Sequence, residues 1–204
     1  AKLGVKSILY NFSLPSIEKG EVASSYSLDP KTCATAAAKA YRELKKEGIH
    51  VSFFATLPYC LFEKSVLKEM LEDQTISSTY QCHTYYGTGV AFEPNGNVLP
   101  CTHYVDTPLF NAMDQNGKFA MKGKFAQEWK EKMHNQFSKE LWKYPAKACK
   151  DCHFWGRCIG GCPFLWMLFD PEQFIQGGVN DLQLPPIYQK SAKPPKYLNS
   201  GTNK

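Results

Sequence analysis

Four cysteines between positions 149 and 162 have a spacing that suits a metal centre. They follow the pattern C-x2-C-x5-C-x3-C, formed by Cys149, Cys152, Cys158 and Cys162. A C-x2-C turn is too tight for a relaxed disulfide, but it lets two thiolates meet at one metal centre, and Cys158 returns a third sulfur to the same place. The glycines at 160–161 allow a sharp backbone turn beside it. The segment therefore predicts thiolate ligation of metal.

A second pair of cysteines, Cys82 and Cys101, flanks a predicted β-hairpin. Short strands at 90–93 and 98–99 are joined by a Pro-Asn-Gly-Asn turn, and Asn-Gly is a favoured pair for tight hairpins. Gly96 provides the positive φ that such a turn needs. The hairpin should bring the two sulfurs close to one another. With the later cysteines this makes six thiolates, which is more than a mononuclear site uses, so we expect one or two iron–sulfur clusters.

Two other interpretations of the cysteines stay open at this point. Four thiolates can bind structural zinc, although zinc sites usually pair two C-x2-C turns and here the second half is C-x3-C. A disulfide framework is disfavoured because the chain has only 8 cysteines in 204 residues, no signal peptide and no apolar run that could span a membrane. These features predict a cytoplasmic protein with reduced thiols. The net charge of +5 is spread along the chain, so no nucleic-acid or membrane partner is expected.

The first part of the chain alternates strand, helix and strand. Strands are predicted at Val5–Phe12 and Ile49–Leu57, and a helix capped by Asp29 lies between them and ends at Gly48. This order implies a right-handed parallel crossover, as in an α/β sheet or the end of a barrel. Cys33 on the helix should be a core thiol. Cys60 follows the second strand, where sites are often built, so it could face a cluster or substrate, or be only a half-buried thiol.

The remaining elements are predicted from apolar periodicity. Residues 15–28 are expected to be a loop, 62–73 and 124–142 to be amphipathic helices, and 164–169 to include a helical turn. The domain boundary is placed near Ser77–Tyr80. The polar, proline-rich tail from Gly177 is expected to be extended or disordered. The histidines form no typical ligand spacing; His83 and His103 lie near cysteines, but solvent-facing side chains are the favoured interpretation.

Together the cysteines and the hairpin resemble the SPASM domain, the C-terminal extension of radical S-adenosylmethionine enzymes that modify peptides and proteins. The resemblance rests on the pattern C-x13-G-x4-C followed by C-x2-C-x5-C-x3-C, on the flanking residues 92–101 and 160–163, and on residues 3–15, which resemble the last strand of the radical SAM barrel. It implies an α/β fragment with the last strands and helices of a partial TIM-like barrel at 1–78. A small α+β iron–sulfur domain follows at 79–176, and then the tail at 177–204.

The resemblance also implies a partition of the ligands between two clusters, each of the 4Fe–4S type. The inner cluster would take Cys82, Cys101 and Cys162. The outer cluster would take Cys149, Cys152 and Cys158, together with a further cysteine downstream. No cysteine follows Cys162, so an oxygen of Asp170 or Asp181 is a candidate for the outer cluster. The inner cluster lacks a fourth thiolate too, and Cys60 is its candidate unless that iron is open to substrate.

The chain contains no C-x3-C-x2-C triplet, which the family uses to cleave S-adenosylmethionine. We therefore expect an auxiliary-cluster portion that transfers electrons, as in an oxidoreductase, or ligates a peptide or protein substrate. S-adenosylmethionine would bind only in the full-length enzyme. Because the chain starts at Ala1 and runs at once into a strand, an N-terminal radical SAM core is expected in the same parent chain or in a partner. The alternative is a non-catalytic interaction module that zinc or an iron–sulfur cluster stabilises.

Overall fold

The structure is a computed structural model that describes residues 3–19, 21–23, 27–53, 57–76, 82–105, 107–141 and 143–183. The described residues within Ala1–Leu14, Tyr26–Gln81 and Tyr144–Ala192 form one compact unit, and those within Pro15–Ser25 and Cys82–Lys143 form another. The predicted boundary near Ser77–Tyr80 lies outside the described residues, as does the tail from 184 onwards. No described helix has the length and apolar character needed to cross a membrane.

The secondary structure consists of short elements joined by turns. The strands in chain order are β1 Ser7–Tyr10, β2 Ile17–Glu18, β3 Glu21–Val22, β4 His50–Phe53, β5 Ala91–Phe92, β6 Asn97–Leu99, β7 Tyr104–Val105 and β8 Phe110–Asn111. The helices are α1 Pro30–Lys46, α2 Lys64–Glu72, α3 His83–Tyr86, α4 Phe125–Trp129, α5 Lys139–Leu141, α6 Leu165–Leu168 and α7 Pro171–Phe174. A π-helix, Lys130–Ser138, joins α4 to α5, and 3₁₀ turns lie at Tyr59–Leu61 and Lys147–Cys149.

Helix α1 begins and ends where its sequence predicts. The Asp29 carboxylate accepts hydrogen bonds from the backbone N–H groups of Lys31 and Thr32, both at 3.0 Å, which satisfies two donors that the first turn leaves open. Gly48, just past the end, has a φ of +68°. The buried face of α1 includes Cys33, which is 3% exposed. Its thiol donates a hydrogen bond to the carbonyl oxygen of Leu28. The prediction of a core thiol is confirmed.

Strands β1 and β4 pair in parallel, with Ser7 opposite His50 and Tyr10 opposite Phe53. Helix α1 lies between them in the chain, so the predicted parallel pairing is confirmed; β1 is shorter than expected, and residues 54–56 of the second predicted strand lie outside the described residues. The sheet has two strands in the part of the chain that the structure describes, and no closed barrel forms there. That this unit completes a larger barrel stays a prediction.

Helix α2 packs an apolar face into the core of the same unit. Four of its side chains are almost fully buried, namely Val66, Leu67, Met70 and Leu71. Their positions repeat at helical spacing, and burial of such side chains is worth about 1.5–3 kcal/mol each. The amphipathic helix predicted at 62–73 is therefore confirmed.

The second unit contains the predicted hairpin. Strand β5 pairs with β6 in antiparallel register, with Phe92 opposite Val98, and β8 adds a third strand. Gly96 has a φ of +87°, and a Cβ there would lie 2.2 Å from the Met113 Cγ atom, so only glycine suits this turn. The expected loop at 15–28 contains a β2–β3 hairpin instead, and β2 also pairs with β7. Two-residue strands are too short to show periodicity.

The helix predicted at 124–142 forms, but its middle is π-helical. Residues five apart therefore lie on the same side. The Trp129 Nε1 and His134 Nε2 atoms lie 3.0 Å and 3.1 Å from the same acceptor, the carbonyl oxygen of Gly87. This contact fixes the helix against the turn that follows α3. Met133 on the same helix is fully buried, as its apolar stripe predicts.

Candidate metal centre

Four cysteine side chains from separate parts of the sequence line one cavity in the first unit. They are Cys60, Cys149, Cys152 and Cys158. The other lining residues are mostly apolar or aromatic: Pro58, Tyr59, Ala148, Phe154, Trp155, Gly160, Ile175, Gly177 and Val179. The site thus combines four potential thiolate ligands with a mostly apolar lining.

Cys60 reaches the cavity from the 3₁₀ turn Tyr59–Leu61, which follows β4. Pro58 begins this turn, and the side chain of Tyr59 is 1% exposed. The backbone N–H of Tyr59 donates a hydrogen bond to the Cys158 Sγ atom at 3.4 Å. The turn that carries Cys60 is therefore hydrogen-bonded directly to a residue of the cysteine-rich segment, residues 149–162.

The C-x2-C pair forms a compact turn, as its spacing predicts. Cys149 ends the 3₁₀ turn Lys147–Cys149, and the Cys152 N–H donates to the Cys149 carbonyl at 3.3 Å. The Lys147 N–H donates to the Glu172 Oε1 atom at 3.0 Å, which anchors the beginning of the turn. Cys149 packs against Ala146 and Ile175 in a small apolar cluster. Both sulfurs of the pair consequently face the same cavity.

Cys158 is positioned by a tight loop on the other side. Its backbone N–H donates to the Phe154 carbonyl at 2.9 Å. Asn180 holds the start of this loop, because its Nδ2 donates to the Asp151 carbonyl at 3.0 Å and its Oδ1 accepts from the His153 N–H at 3.2 Å. Residues well past the last cysteine therefore shape the site, although the tail from 177 was expected to be extended or disordered.

The glycine pair after Cys158 allows two close contacts. Gly160 and Gly161 have φ values of +74° and +89°, which side chains rarely adopt. A Cβ on Gly160 would lie 2.4 Å from the Pro145 Cγ atom, and one on Gly161 would lie 2.8 Å from the Pro58 Cδ atom. The Gly161 contact brings the cysteine-rich segment against the turn that holds Cys60.

Burial disfavours the charged form of three of these thiols. It raises the pKa of Cys149 to about 11 and that of Cys158 to about 12, with smaller contributions from negative charge on Cys60 and Cys152. Burial likewise raises the pKa of Cys60, with a contribution from charge on Cys152. A bound cation would stabilise the thiolate forms of these three residues.

The lining residues bear on which metal the cavity could hold. No group of three or more His, Cys, Asp or Glu side chains that could hold a single metal ion is found among the described residues. Four cysteines nevertheless line this cavity. A 4Fe–4S cluster takes one cysteine on each of its four irons, so the residue types present are those that such a cluster binds.

Cys82 and Cys101 are brought together in the second unit. Cys82 directly precedes α3. Burial raises the pKa of Cys82, and negative charge on Cys101 contributes to the same shift. The Cys101 sulfur lies 3.5 Å from the His103 Nδ1 atom. Burial raises the Cys101 pKa, but hydrogen bonds with the His103 side chain, the His103 backbone and Thr84, together with the charge of His103, lower it overall. His103 is half-buried rather than solvent-facing as expected, whereas His83 is exposed.

The structure places the other candidate ligands away from the cavity lining. Cys162 is buried in the first unit, and its grouping with Cys82 and Cys101 stays a prediction. Asp170 caps α7 and accepts from the Glu172 N–H at 3.1 Å. Asp181 forms an ion pair with Lys64 at 2.7 Å. The eight cysteines all lie among the described residues, and none is in a disulfide.

Sequence reasoning did not place Cys60 beside Cys149, Cys152 and Cys158. Spacing along the chain cannot show that partnership, because long segments of sequence intervene. The one available indication was its position just past a parallel strand, where functional sites are often built. Comparison with known proteins found no matching family model, no matching curated protein and no matching solved structure.

Proposed function

We propose that this chain binds an iron–sulfur cluster in the cavity lined by Cys149, Cys152 and Cys158. It would act as the auxiliary-cluster portion of a radical S-adenosylmethionine enzyme that modifies a peptide or protein. The observation that supports the proposal is the convergence of several cysteine side chains on one apolar cavity. Thiolates in a dry site are the ligands that such clusters use.

The surrounding side chains would protect a cluster from water. Tyr59 and Phe154 are fully buried and meet edge to face, with ring centroids 5.6 Å apart. Trp155 packs against Tyr144, with centroids 4.7 Å apart. A bound cluster supplies reversible one-electron transfer at a potential that burial and hydrogen bonds to its sulfurs tune. The Tyr59 N–H, which already donates to the Cys158 sulfur, is one such hydrogen bond.

A second cluster is proposed at Cys82 and Cys101. Cys82 and Cys101 both lie in the second unit, and the Cys101 sulfur and the His103 Nδ1 atom are 3.5 Å apart, within hydrogen-bond distance. A hydrogen bond to a ligand sulfur would raise the potential of a bound cluster. The two centres would then relay electrons released when the substrate is modified. The cytoplasm, where thiols stay reduced, is the compartment that suits this function.

Anaerobic reconstitution with iron and sulfide tests the proposal, followed by iron, acid-labile sulfide and zinc analysis. We expect about seven or eight irons per chain with matching sulfide, and a broad visible absorption that dithionite bleaches. Cys149→Ala should remove the outer cluster and spare the inner one, Cys82→Ala should do the reverse, and Cys33→Ala, a buried core thiol, should change neither. One tightly held zinc without sulfide would instead support a metal-stabilised interaction module.

The link to radical chemistry has its own test. Because the sequence has no C-x3-C-x2-C triplet, the reconstituted chain alone should produce no 5′-deoxyadenosine from S-adenosylmethionine under dithionite. Adding the chain to a radical SAM core from the same parent protein should restore product formation on a peptide substrate. Cleavage of S-adenosylmethionine by this chain alone would contradict the assignment.

A further inference from the structure

We infer that Cys60 is the fourth thiolate of the cluster held by Cys149, Cys152 and Cys158. The inference rests on the proposed function, because it concerns the same cavity. It departs from the expectation that the outer cluster takes its last ligand from downstream of Cys162, and from the grouping of Cys60 with the inner set. The ligand would instead come from the turn after β4.

The position of Cys60 supports this assignment first. Its side chain lines the same cavity as the other three sulfurs and packs against the apolar cluster around Cys149. The four cysteines thus line one cavity although they come from two separate parts of the sequence.

Two contacts also hold the turn that carries Cys60 against the cysteine-rich segment. The Tyr59 N–H donates to the Cys158 sulfur at 3.4 Å, and Pro58 lies against Gly161 so closely that a Cβ there would be 2.8 Å from it. Both contacts precede Cys60 by one or two residues. A ligand held in this way is positioned before metal arrives, which lowers the entropy lost on binding.

The other candidates for the fourth position are engaged elsewhere. Asp170 caps a helix and Asp181 pairs with Lys64, and neither lines the cavity. With Cys60 included, each iron of a 4Fe–4S cluster has one protein thiolate and none stays open. This cluster therefore transfers electrons and does not ligate substrate. Ligation by Cys60 releases its thiol proton to solvent and changes no oxidation state.

The test compares Cys60→Ala and Cys60→Ser with Cys33→Ala after anaerobic reconstitution of the full chain. Iron content and electron paramagnetic resonance of reduced and air-oxidised samples are the readouts, and circular dichroism checks folding. We expect Cys60→Ala to lose about one to four irons per chain, with a three-iron signal on oxidation when one iron is lost. Cys60→Ser should keep the cluster with a shifted spectrum, and Cys33→Ala should match wild type.

A small thiol provides a second readout that does not depend on how well the variant loads. In Cys60→Ala, added 2-mercaptoethanol should fill the vacated position, restore the lost iron and shift the resonance, and it should leave wild type unchanged. Wild-type iron content and spectrum in folded Cys60→Ala would overturn the inference while leaving the cluster in place. Failure of wild type to take up iron and sulfide would overturn the proposed function instead, so the two failures are distinguishable.

Discussion

Replacing Gly161 with alanine is the sharpest structural test of how the cysteine-rich segment is held. Gly161 has a φ of +89°, and an added Cβ would lie 2.8 Å from the Pro58 Cδ atom. Ordinary contacts begin at 3.4 Å, so the proline ring or the glycine backbone would have to move by at least 0.6 Å. Because Pro58 begins the turn of Cys60, this movement would displace a cavity-lining sulfur as well.

Two separate effects set the magnitude. A side chain in the left-handed region costs about 1–2 kcal/mol. Forcing an extra methyl group into a packed contact costs about 1–3 kcal/mol. The free energy of unfolding should therefore fall by about 2–5 kcal/mol in Gly161→Ala.

Gly178→Ala is the matched control, because it separates these two effects. Gly178 has nearly the same backbone conformation, with a φ of +87°, but nothing lies within 4 Å of its added Cβ. It should lose only the conformational part, about 1–2 kcal/mol. Both variants are compared with wild type by urea denaturation, followed by tryptophan fluorescence and circular dichroism.

The iron content of the reconstituted variants completes the assay. Gly161→Ala should retain less iron than Gly178→Ala, because only the first displaces the turn of Cys60. Equal midpoints and equal iron in the two variants would refute the reasoning, since the contact with Pro58 would then have no effect on stability or on the site.

Two further predictions concern charged side chains of the first unit. Asp29→Ala should lower the free energy of unfolding by about 1 kcal/mol in urea denaturation, because it removes the cap of α1. Asp29→Asn keeps a hydrogen-bond acceptor and should change this free energy little. Equal losses in the two variants would contradict the capping role. Although burial raises the Asp73 pKa, hydrogen bonds from Lys45 and Tyr41 lower it overall. A carboxylate whose pKa is lowered by folding stabilises the protein at pH values above the unfolded pKa of about 3.9, and this stabilisation is lost as the pH falls through the folded pKa. In thermal melts, Asp73→Asn should therefore be less stable than wild type at pH 7, and the difference should disappear below about pH 4. Since Lys45 and Asp73 are 46% and 38% exposed, the gap should be at most about 1 kcal/mol, and a gap that grows in acid would contradict it.

Local chemistry made much of the fold predictable. The Asp29 cap, the Asn-Gly turn at Gly96 and the apolar stripe of α2 each depend on residues close in sequence, and the structure has them where they were expected. The β2–β3 hairpin and the π-helical middle of Lys130–Ser138 were missed. Short strands carry no periodic pattern, and the contacts of Trp129 and His134 with the Gly87 carbonyl are tertiary contacts that helical periodicity does not reveal.

The candidate site was predictable in part for the same reason. The C-x2-C turn at Cys149 and the proximity of Cys82 to Cys101 follow from local spacing, and the structure has both. The approach of Cys60 to Cys158 depends on how β4 and the cysteine-rich segment pack, which no spacing encodes. The histidine contact at Cys101 is likewise set by the fold of the turn.

The two faces of the cavity are made far apart in time during synthesis. Tyr59 and Cys158, which hydrogen-bond across it, are 99 residues apart. At a translation rate of about 5–20 residues per second, the later face emerges from the ribosome roughly 5–20 seconds after the earlier one. Most of the second unit, the part within Cys82–Lys143, is made in between. The Cys60 thiol therefore leaves the ribosome well before the other three, and a cluster that used all four cysteines could be completed only after Cys158 had been made.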